Sequence, residues 1–572
     1  MLSNKSRLVV FLALWLMGTN TVRGVDGISY LPEDVLSFAM VRNVQAANDK
    51  IVKFVGVFHD GLPAPLEMVQ AMTGLSAGLN LEGDLLFGLL PTSEPGVPAP
   101  MFLLPVSDYN SFAEAMKADA TGEICRITIA NQDVLVAKRA DFAVVMNLEH
   151  RELLQKVLAQ PVKIPAAVAE LTEWLAVNDI AIVVSPAGIA YITEQSKRQL
   201  EATDVPAQPS AIPNDMLSLG EDLPFAEFFR ENIQSAALGM AIDDVINACA
   251  RWHVQFQQPI AEAKLTEVED TEKPLTGFAA QPYVVAGGGP VPLGTGTWLP
   301  ELFTNISREM ATQDGRDDFT EADWQEVQHS YELAVADLQK VSYLITTGKE
   351  GEPLLSVVFA RLTVADSAKY MQSLKELFDL SNKLIQRSKS DIKLVYEIAE
   401  TKIAGAKGIE VTCDLDEAAG DGDNIIWQTM LTSILGIDHK LSLYFVAADD
   451  SHIFFGMESS EKLESFIADF NKQDTGLSKD LQVQTTLKLT DLEADWVGLL
   501  NPEGLMTLVK NALKSMMLLG SFPELPEYPS APPLALTMNG GDVAWSGEIV
   551  LPVEASKAMS KFTKEVEQMF AH

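Results

Sequence analysis

The chain runs to 572 residues, 47% hydrophobic and 21% charged, a balance that excludes a disordered chain and a length that holds roughly two to four domains. Its formal net charge of −37 repels phosphate backbones and anionic head groups, so it excludes nucleic acid as a partner. Three cysteines, Cys125, Cys249 and Cys413, lie too far apart for a metal-ligand spacing and are too few for a disulfide framework, although one long-range bridge stays open to them.

Residues 1–24 read as a secretory signal peptide. Lys5 and Arg7 precede an unbroken apolar run from Leu8 to Met17, and Val22 and Gly24 supply the short residues a signal peptidase needs. The run is too short to cross a bilayer as a helix, which takes about 20 residues. No other segment reads as a membrane span, since Leu505 to Leu519 is interrupted by Lys510 and Lys514. The expected location is therefore secreted or periplasmic, with no transmembrane segment left after cleavage.

Antiparallel hairpins dominate the remainder of the chain. Arg126 to Ala130 and Asp133 to Lys138 flank Asn131-Gln132; Ala236 to Ile242 and Val245 to Gln257 flank Asp243-Asp244. In the latter, Ile246, Ala248, Ala250, Trp252, Val254 and Phe256 alternate with polar residues, the period of a strand with one wet face. Leu441 to Ala447 and His452 to Met457 flank an Asp-Asp-Ser turn. Leu534 to Met538 and Val543 to Val553 flank Asn539-Gly540, a pair suited to the positive φ of a tight hairpin. A recurring phrase then carries strand into helix. An apolar strand ends at Val106, Val364 or Val553, and Ser107-Asp108, Asp366-Ser367 or Glu554 offers the N-cap.

Residues 83–159 read hairpin, helix, hairpin with an extra strand, helix; residues 341–470 read hairpin, helix, hairpin, hairpin, helix. The expected fold is α+β, two divergent tandem repeats of antiparallel β-hairpins packed with helices on one face. The domains expected are the signal peptide, an N-terminal repeat domain over 25–290 and a C-terminal one over 291–572. The divide falls in the Pro- and Gly-rich stretch 258–296, where Gly287 to Gly289 reads as a turn.

No motif survives its context as a site. Gly74-Leu-Ser-Ala-Gly78 matches the nucleophile elbow G-x-S-x-G, but a helix precedes it and a strand comes after, the reverse of what that chemistry requires. Gly289 to Gly294 has Thr295 where a phosphate loop needs Lys, and Pro290 and Pro292 remove backbone donors. Ser459-Ser-Glu-Lys462 fits S-x-x-K without its companion motifs, so Ser459 or Ser460 reads as an N-cap. His59, His150, His253, His329, His439, His452 and His572 share no helical face. The acidic loops at Asp414 to Asn424 and Asp314 to Asp318 lack the EF-hand spacing; they read as solvated loops that could attract divalent cations weakly. The Met-rich helix from Pro502 to Leu519 sets Leu505, Leu508, Val509, Ala512, Leu513, Met516 and Leu519 on one side, as core or as a groove for an apolar ligand or partner. Asn305-Ile-Ser307 is a glycosylation sequon.

The opening Gly27 to Arg42, with Leu31-Pro-Glu-Asp34 before a strand, and the run Pro282 to Gly289 resemble exported bacterial proteins of planctomycete type, of unknown function. The resemblance implies secretion and a bacterial envelope and carries no catalytic residue. No catalytic, cofactor-binding or metal residue and no cofactor is assigned. The expected function is a non-enzymatic envelope or periplasmic binding or scaffold protein. The alternatives are a carrier of apolar, lipid-like ligands, or a hydrolase with a site assembled from distant segments. A protein partner or an apolar ligand is the expected company.

Overall fold

The computed structural model describes residues 26–570 except 60, 75–76, 95, 119–121, 130–131, 202–231, 261–263, 267–274, 293–299, 302, 306, 309–318, 336, 350–351, 388–394, 416–433, 435–438, 471–475, 492 and 516–524. Two compact units emerge. One takes the described residues of 26–222, 226–258 and 544–548, the other those of 259–543 and 549–570.

In the first unit β1 (Ser37–Val41) leads into α1 (Val44–Gly56) and α2 (Pro65–Thr73), then β2 (Leu85–Leu90), β3 (Ala99–Pro105) and α3 (Tyr109–Ala115). A three-stranded meander comes next, β4 (Ile124–Ile129), β5 (Gln132–Arg139) and β6 (Phe142–Asn147), then α4 (Arg151–Ala159), α5 (Ala166–Ala169) and α6 (Thr172–Ala176). The unit continues with β7 (Ile180–Val184), α7 (Pro186–Glu201), β8 (Ile233–Ile242) and β9 (Ala248–Phe256). The strands lie in the order β4-β5-β6-β3-β2-β1-β7-β8-β9, every pair antiparallel.

The central strands are buried on both sides. Phe38, Met40, Leu86, Met101, Leu135 and Val144 pack with Leu154 and Val157 of α4 and with Leu175 of α6. The alternate residues Ala39, Val41, Leu85, Leu104, Val136 and Val145 pack with Val44 and Ala47 of α1, Leu66 of α2 and Phe112 of α3. Double coverage explains why these strands read as continuous apolar runs, whereas β8 and β9 at the margin alternate. β9 begins at Ala248; Ile246 belongs to the turn and takes φ 64°.

The second unit contains β10 (Tyr283–Pro290), α8 (Glu321–Val335), β11 (Leu338–Thr346), β12 (Val358–Val364) and α9 (Ser367–Arg387). Two hairpins come next, β13 (Tyr396–Ile403) with β14 (Ala406–Asp414) and β15 (Lys440–Ala447) with β16 (His452–Met457), then α10 (Ser460–Phe470) and α11 (Leu481–Leu487). The chain ends with β17 (Trp496–Leu500), α12 (Pro502–Ser515), β18 (Leu534–Gly540), β19 (Ala544–Leu551), which straddles the division, and α13 (Val553–Phe570). The sheet runs β13-β14-β15-β16-β12-β11-β10-β17-β18, again antiparallel throughout. Phe359, Val446 and Phe454 pack with Leu463, Phe466 and Phe470 of α10. Ile409, Val411 and Phe445 pack with Tyr370, Leu374 and Phe378 of α9.

Two local expectations are corrected. Gly287 to Gly289 is no turn: it lies inside β10, hydrogen-bonded to β11 on one side and β17 on the other. At each glycine a neighbour presses on the bare backbone: Trp496 at Gly289, the Val497 carbonyl and Tyr343 hydroxyl at Gly287, and the Val341 carbonyl and Ser342 at Gly288. A Cβ on Gly289 would stand 2.2 Å from Trp496 Cδ1, and one on Gly287 3.1 Å from the Tyr343 hydroxyl and 2.6 Å from the Val497 carbonyl. Local composition mimics a turn while packing demands a strand with no side chains. The second correction is at α13, which starts at Val553, so Glu554 sits in its first turn and does not cap it. The other two phrases are as expected: Asp108 accepts from Asn110 N–H and Ser111 N–H, and Asp366 accepts from Lys369 N–H at 2.9 Å.

Candidate apolar binding site

In the first unit, α1, α2 and the loop before β2 enclose an apolar pocket of about 50 Å³ against β2 and β3. Val44 opens α1, Leu66 and Val69 project from α2, Leu79 and Leu81 come from the loop, and Phe102 forms part of the floor. Gln70 and Asn80 also border it, but almost all of the lining surface is apolar. The loop is pinned. Gln45 N–H donates to the Leu81 carbonyl at 2.8 Å, Asn80 N–H to the Pro105 carbonyl at 2.9 Å, and Leu79 bridges Val106. Gly78, at φ 75°, approaches α3 so closely that a Cβ would meet Phe112 N at 2.4 Å. Asn43 caps α1 by accepting from Ala46 N–H, and Asn48 Oδ1 takes the Leu66 N–H at 2.9 Å, tying α2 to α1. The pocket is therefore preformed. Its volume is a third of a cavity that holds benzene, about 150 Å³, and far below the ~300 Å³ of a small-ligand cleft. It suits the tip of one aliphatic side chain.

The same unit holds a buried polar group. Arg42, Lys50, Asn178 and Asp179 are all under 7% exposed. Lys50 Nζ donates to the Ile242 carbonyl at 2.6 Å, and Asp179 Oδ2 accepts from Ile242 N–H at 2.8 Å. Burial pulls the lysine pKa below its ordinary value, against the pull of Asp179, Asp244 and Asp243. These contacts fix the junction of β1, β7, β8 and α1.

In the second unit Glu458, a non-glycine residue at φ 64°, ends β16. Its N–H donates to the Ser442 carbonyl at 2.8 Å and its Oε1 accepts from Ser442 N–H at 3.1 Å. Burial raises this carboxyl to about 7, although the Ser442 bond opposes the shift. Nearby the Tyr444 hydroxyl donates to Glu410 Oε1 at 3.0 Å, and burial first, then the Glu410 contact, lift that phenol to about 12.

The sequence motifs fall elsewhere. Gly74 is the left-handed C-cap of α2, with φ 73° and its N–H on the Gln70 carbonyl, as a helix exit requires; Ser76 lies outside the described residues. Ser459 Oγ accepts from Lys462 N–H at 3.3 Å and so caps α10, while Lys462 Nζ reaches Glu352 at 2.7 Å and Ser356 at 2.8 Å. His253 stands half-buried on β9, its pKa lowered by burial. His452 Nδ1 rests on Asp449 at 2.8 Å, in the turn between β15 and β16. All three cysteines are free and buried, in β4, β9 and β14. In α12 the buried residues are Pro502 and Gly504; Leu505 is 38% exposed and Leu508, Val509, Ala512 and Leu513 are half-buried, with Met516 and Leu519 outside the described residues. Residues 416–424 and 314–318 of the acidic loops and residues 1–24 also lie outside them. Among the described residues no group of three or more His, Cys, Asp or Glu is placed to hold a metal ion, and no helix is long and apolar enough to cross a membrane.

Sequence reasoning passed over the pocket because its lining comes from five separate stretches of ordinary apolar residues. It also passed over a repeated phrase, Asp179…Ser185-Pro-Ala-Gly188 and Asp495…Asn501-Pro-Glu-Gly504, which opens α7 and α12. Compared with protein-family models, with curated proteins and with solved structures, the chain matches none.

Proposed function

We propose that this chain is an exported, non-enzymatic binding or scaffold protein, secreted or periplasmic, made of two divergent copies of one α+β plan. The leader-like residues 1–24 and the resemblance to exported bacterial proteins motivate the location. With β13 of the second sheet and β9 of the first set aside, the two sheets share one connectivity: counted within each unit, the order is 4-5-6-3-2-1-7-8. Matching registers support a common origin. Asp179 takes the N–H of Ile242, and Asp495, 316 residues later, takes that of Gly540 at 3.3 Å. Ser185 N–H donates to Leu36 at 2.9 Å and Asn501 N–H to Val284 at 2.8 Å; Val106 N–H donates to Asp141 at 2.8 Å and Val364 N–H to Ser451 at 2.9 Å. Gly188 and Gly504 each press a helix onto the start of the unit's first strand, where a Cβ would stand 2.0 Å from the carbonyl of Leu36, the residue before β1, and 1.8 Å from that of Tyr283, the first residue of β10.

The single observation behind the binding role is the preformed apolar pocket. A side-chain-sized cavity with an apolar lining favours a protein anchored by one Leu, Val or Met over a bulky free ligand. A carrier of apolar ligands is the second reading, supported by the same lining but opposed by its volume. Methyl NMR of the full chain, titrated with N-acetyl-leucinamide and separately with dodecanoate, tests both. Shifts at Val69, Leu79 and Leu104 with the amide alone are expected. Shifts with dodecanoate alone favour the carrier, and none with either removes the pocket as a site.

A further inference from the structure

The two sheets differ at one edge. In the second unit β14 has β13 along its outer side, paired over eight residues from Tyr396 opposite Cys413 to Ile403 opposite Ala406. The counterpart of β14 in the shared connectivity is β4, which pairs with β5 through Ile124 opposite Ala137 to Ile129 opposite Gln132. Among the described residues no strand pairs with its other side. We propose that the outer edge of β4 accepts an extended segment of a partner protein, six to eight residues long and antiparallel, in the position that β13 holds on β14.

Edge strands that must stay bare are kept so by Pro, bulges or charges reaching over the edge. β4 has neither Pro nor a register shift, and Ile124, Ile127, Thr128 and Ile129 give it β-branched side chains. Its one charge is tied back to the sheet: the exposed Arg126 guanidinium is bonded to Asp133 on the neighbouring β5, and Thr128 Oγ1 donates to the same carboxylate at 2.8 Å. Cys125 and Ile127 are buried on the α3 side, so an added strand finds an apolar margin to continue. The occupant is a partner and not a second copy, because chains at −37 each repel one another. The same charge selects a segment whose polar positions carry Lys or Arg. Main-chain bonds supply the affinity and the alternate apolar residues the selectivity.

This inference deepens the binding reading and rests on it, and the test separates the two. The probe is a fluorescent peptide of Tyr396–Ile403 carrying Glu397→Lys and Glu400→Lys, titrated against the full chain by fluorescence polarisation. Saturable binding is expected below about 1 mM. N-methylation of alternate amides along one edge of the peptide should weaken it at least about ten-fold, and methylation along the other edge should leave it within about two-fold. Hydrogen exchange should slow at β4. No binding, equal loss with both methylated forms, protection elsewhere, or a β4-dependent dimer in sedimentation would overturn the proposal. Leu79→Trp, which fills the pocket, should leave peptide binding unchanged. If it abolishes binding instead, the peptide sits in the pocket and the edge inference fails while the pocket stands.

Discussion

Glu458→Gln probes a carboxyl that the fold holds near neutrality. The folded-state pKa is about 7 against an ordinary 4.5, with burial as the cause. The folded chain therefore keeps a proton that the unfolded chain releases between these values. Stability on this account is greatest below pH 4.5, falls as pH rises to about 7, and is level above it. A shift of that size corresponds to an upper limit of about 3 kcal/mol. The side chain is only half-buried, and water screening reduces the cost of its charge at pH 8 to about 1 kcal/mol. Glutamine keeps an oxygen for Ser442 N–H and removes the charge. Urea unfolding at pH 5, 6, 7 and 8 should show the wild type losing about 1 kcal/mol across the series while Glu458→Gln loses less, with a Tm gain near 2–4 °C at pH 8. Parallel pH profiles, or a variant less stable than wild type at pH 8, would refute the reasoning.

Other expectations concern packing and chemistry. Gly504→Ala and Gly188→Ala drive a Cβ into a backbone carbonyl and should each cost about 3 kcal/mol in thermal unfolding. Gly56→Ala, which meets nothing within 4 Å, should be neutral or stabilising by about 0.5 kcal/mol. Asp179→Ala strips the acceptor of Ile242 N–H beside buried Lys50 and should cost about 3 kcal/mol in urea unfolding; Asp495→Ala, whose parent residue is exposed, should cost under about 1 kcal/mol. Burial raises Cys249 to about 12 and Cys413 to about 11, so native protein at pH 8 should resist a thiol-specific reagent at both, and denatured protein should titrate all three thiols.

Hairpin positions and most helix caps were legible because each is written in a few neighbouring residues, although Asn539 and Gly540 lie inside β18 and neither takes the positive φ expected of it. Asp243 in its turn, Gly74 at its helix exit and the Asp108 and Asp366 caps all behave as short-range chemistry requires. Features that depended on distant partners were not legible. The run Phe142 to Met146 looks the same to a sequence reader whether one face or both are covered, since helices from other segments decide it. The pocket is harder still: Val44, Leu79 and Phe102 become a site only when two helices and a loop close over a sheet. The Ser/Asn-Pro-x-Gly phrase was readable but lies 316 residues from its echo, with little shared between its fixed points.

The glycine run of β10 places an unusual demand on the rest of that sheet. Where other strands bring their own bulk, this one borrows it: Trp496 and Tyr343 stand against Gly289 and Gly287, and the Val341 carbonyl and Ser342 close on Gly288. Saturation mutagenesis should find Gly287, Gly288 and Gly289 as unforgiving as any core leucine. A substitution-tolerance map would thus mark as indispensable a triplet whose letters look like a linker.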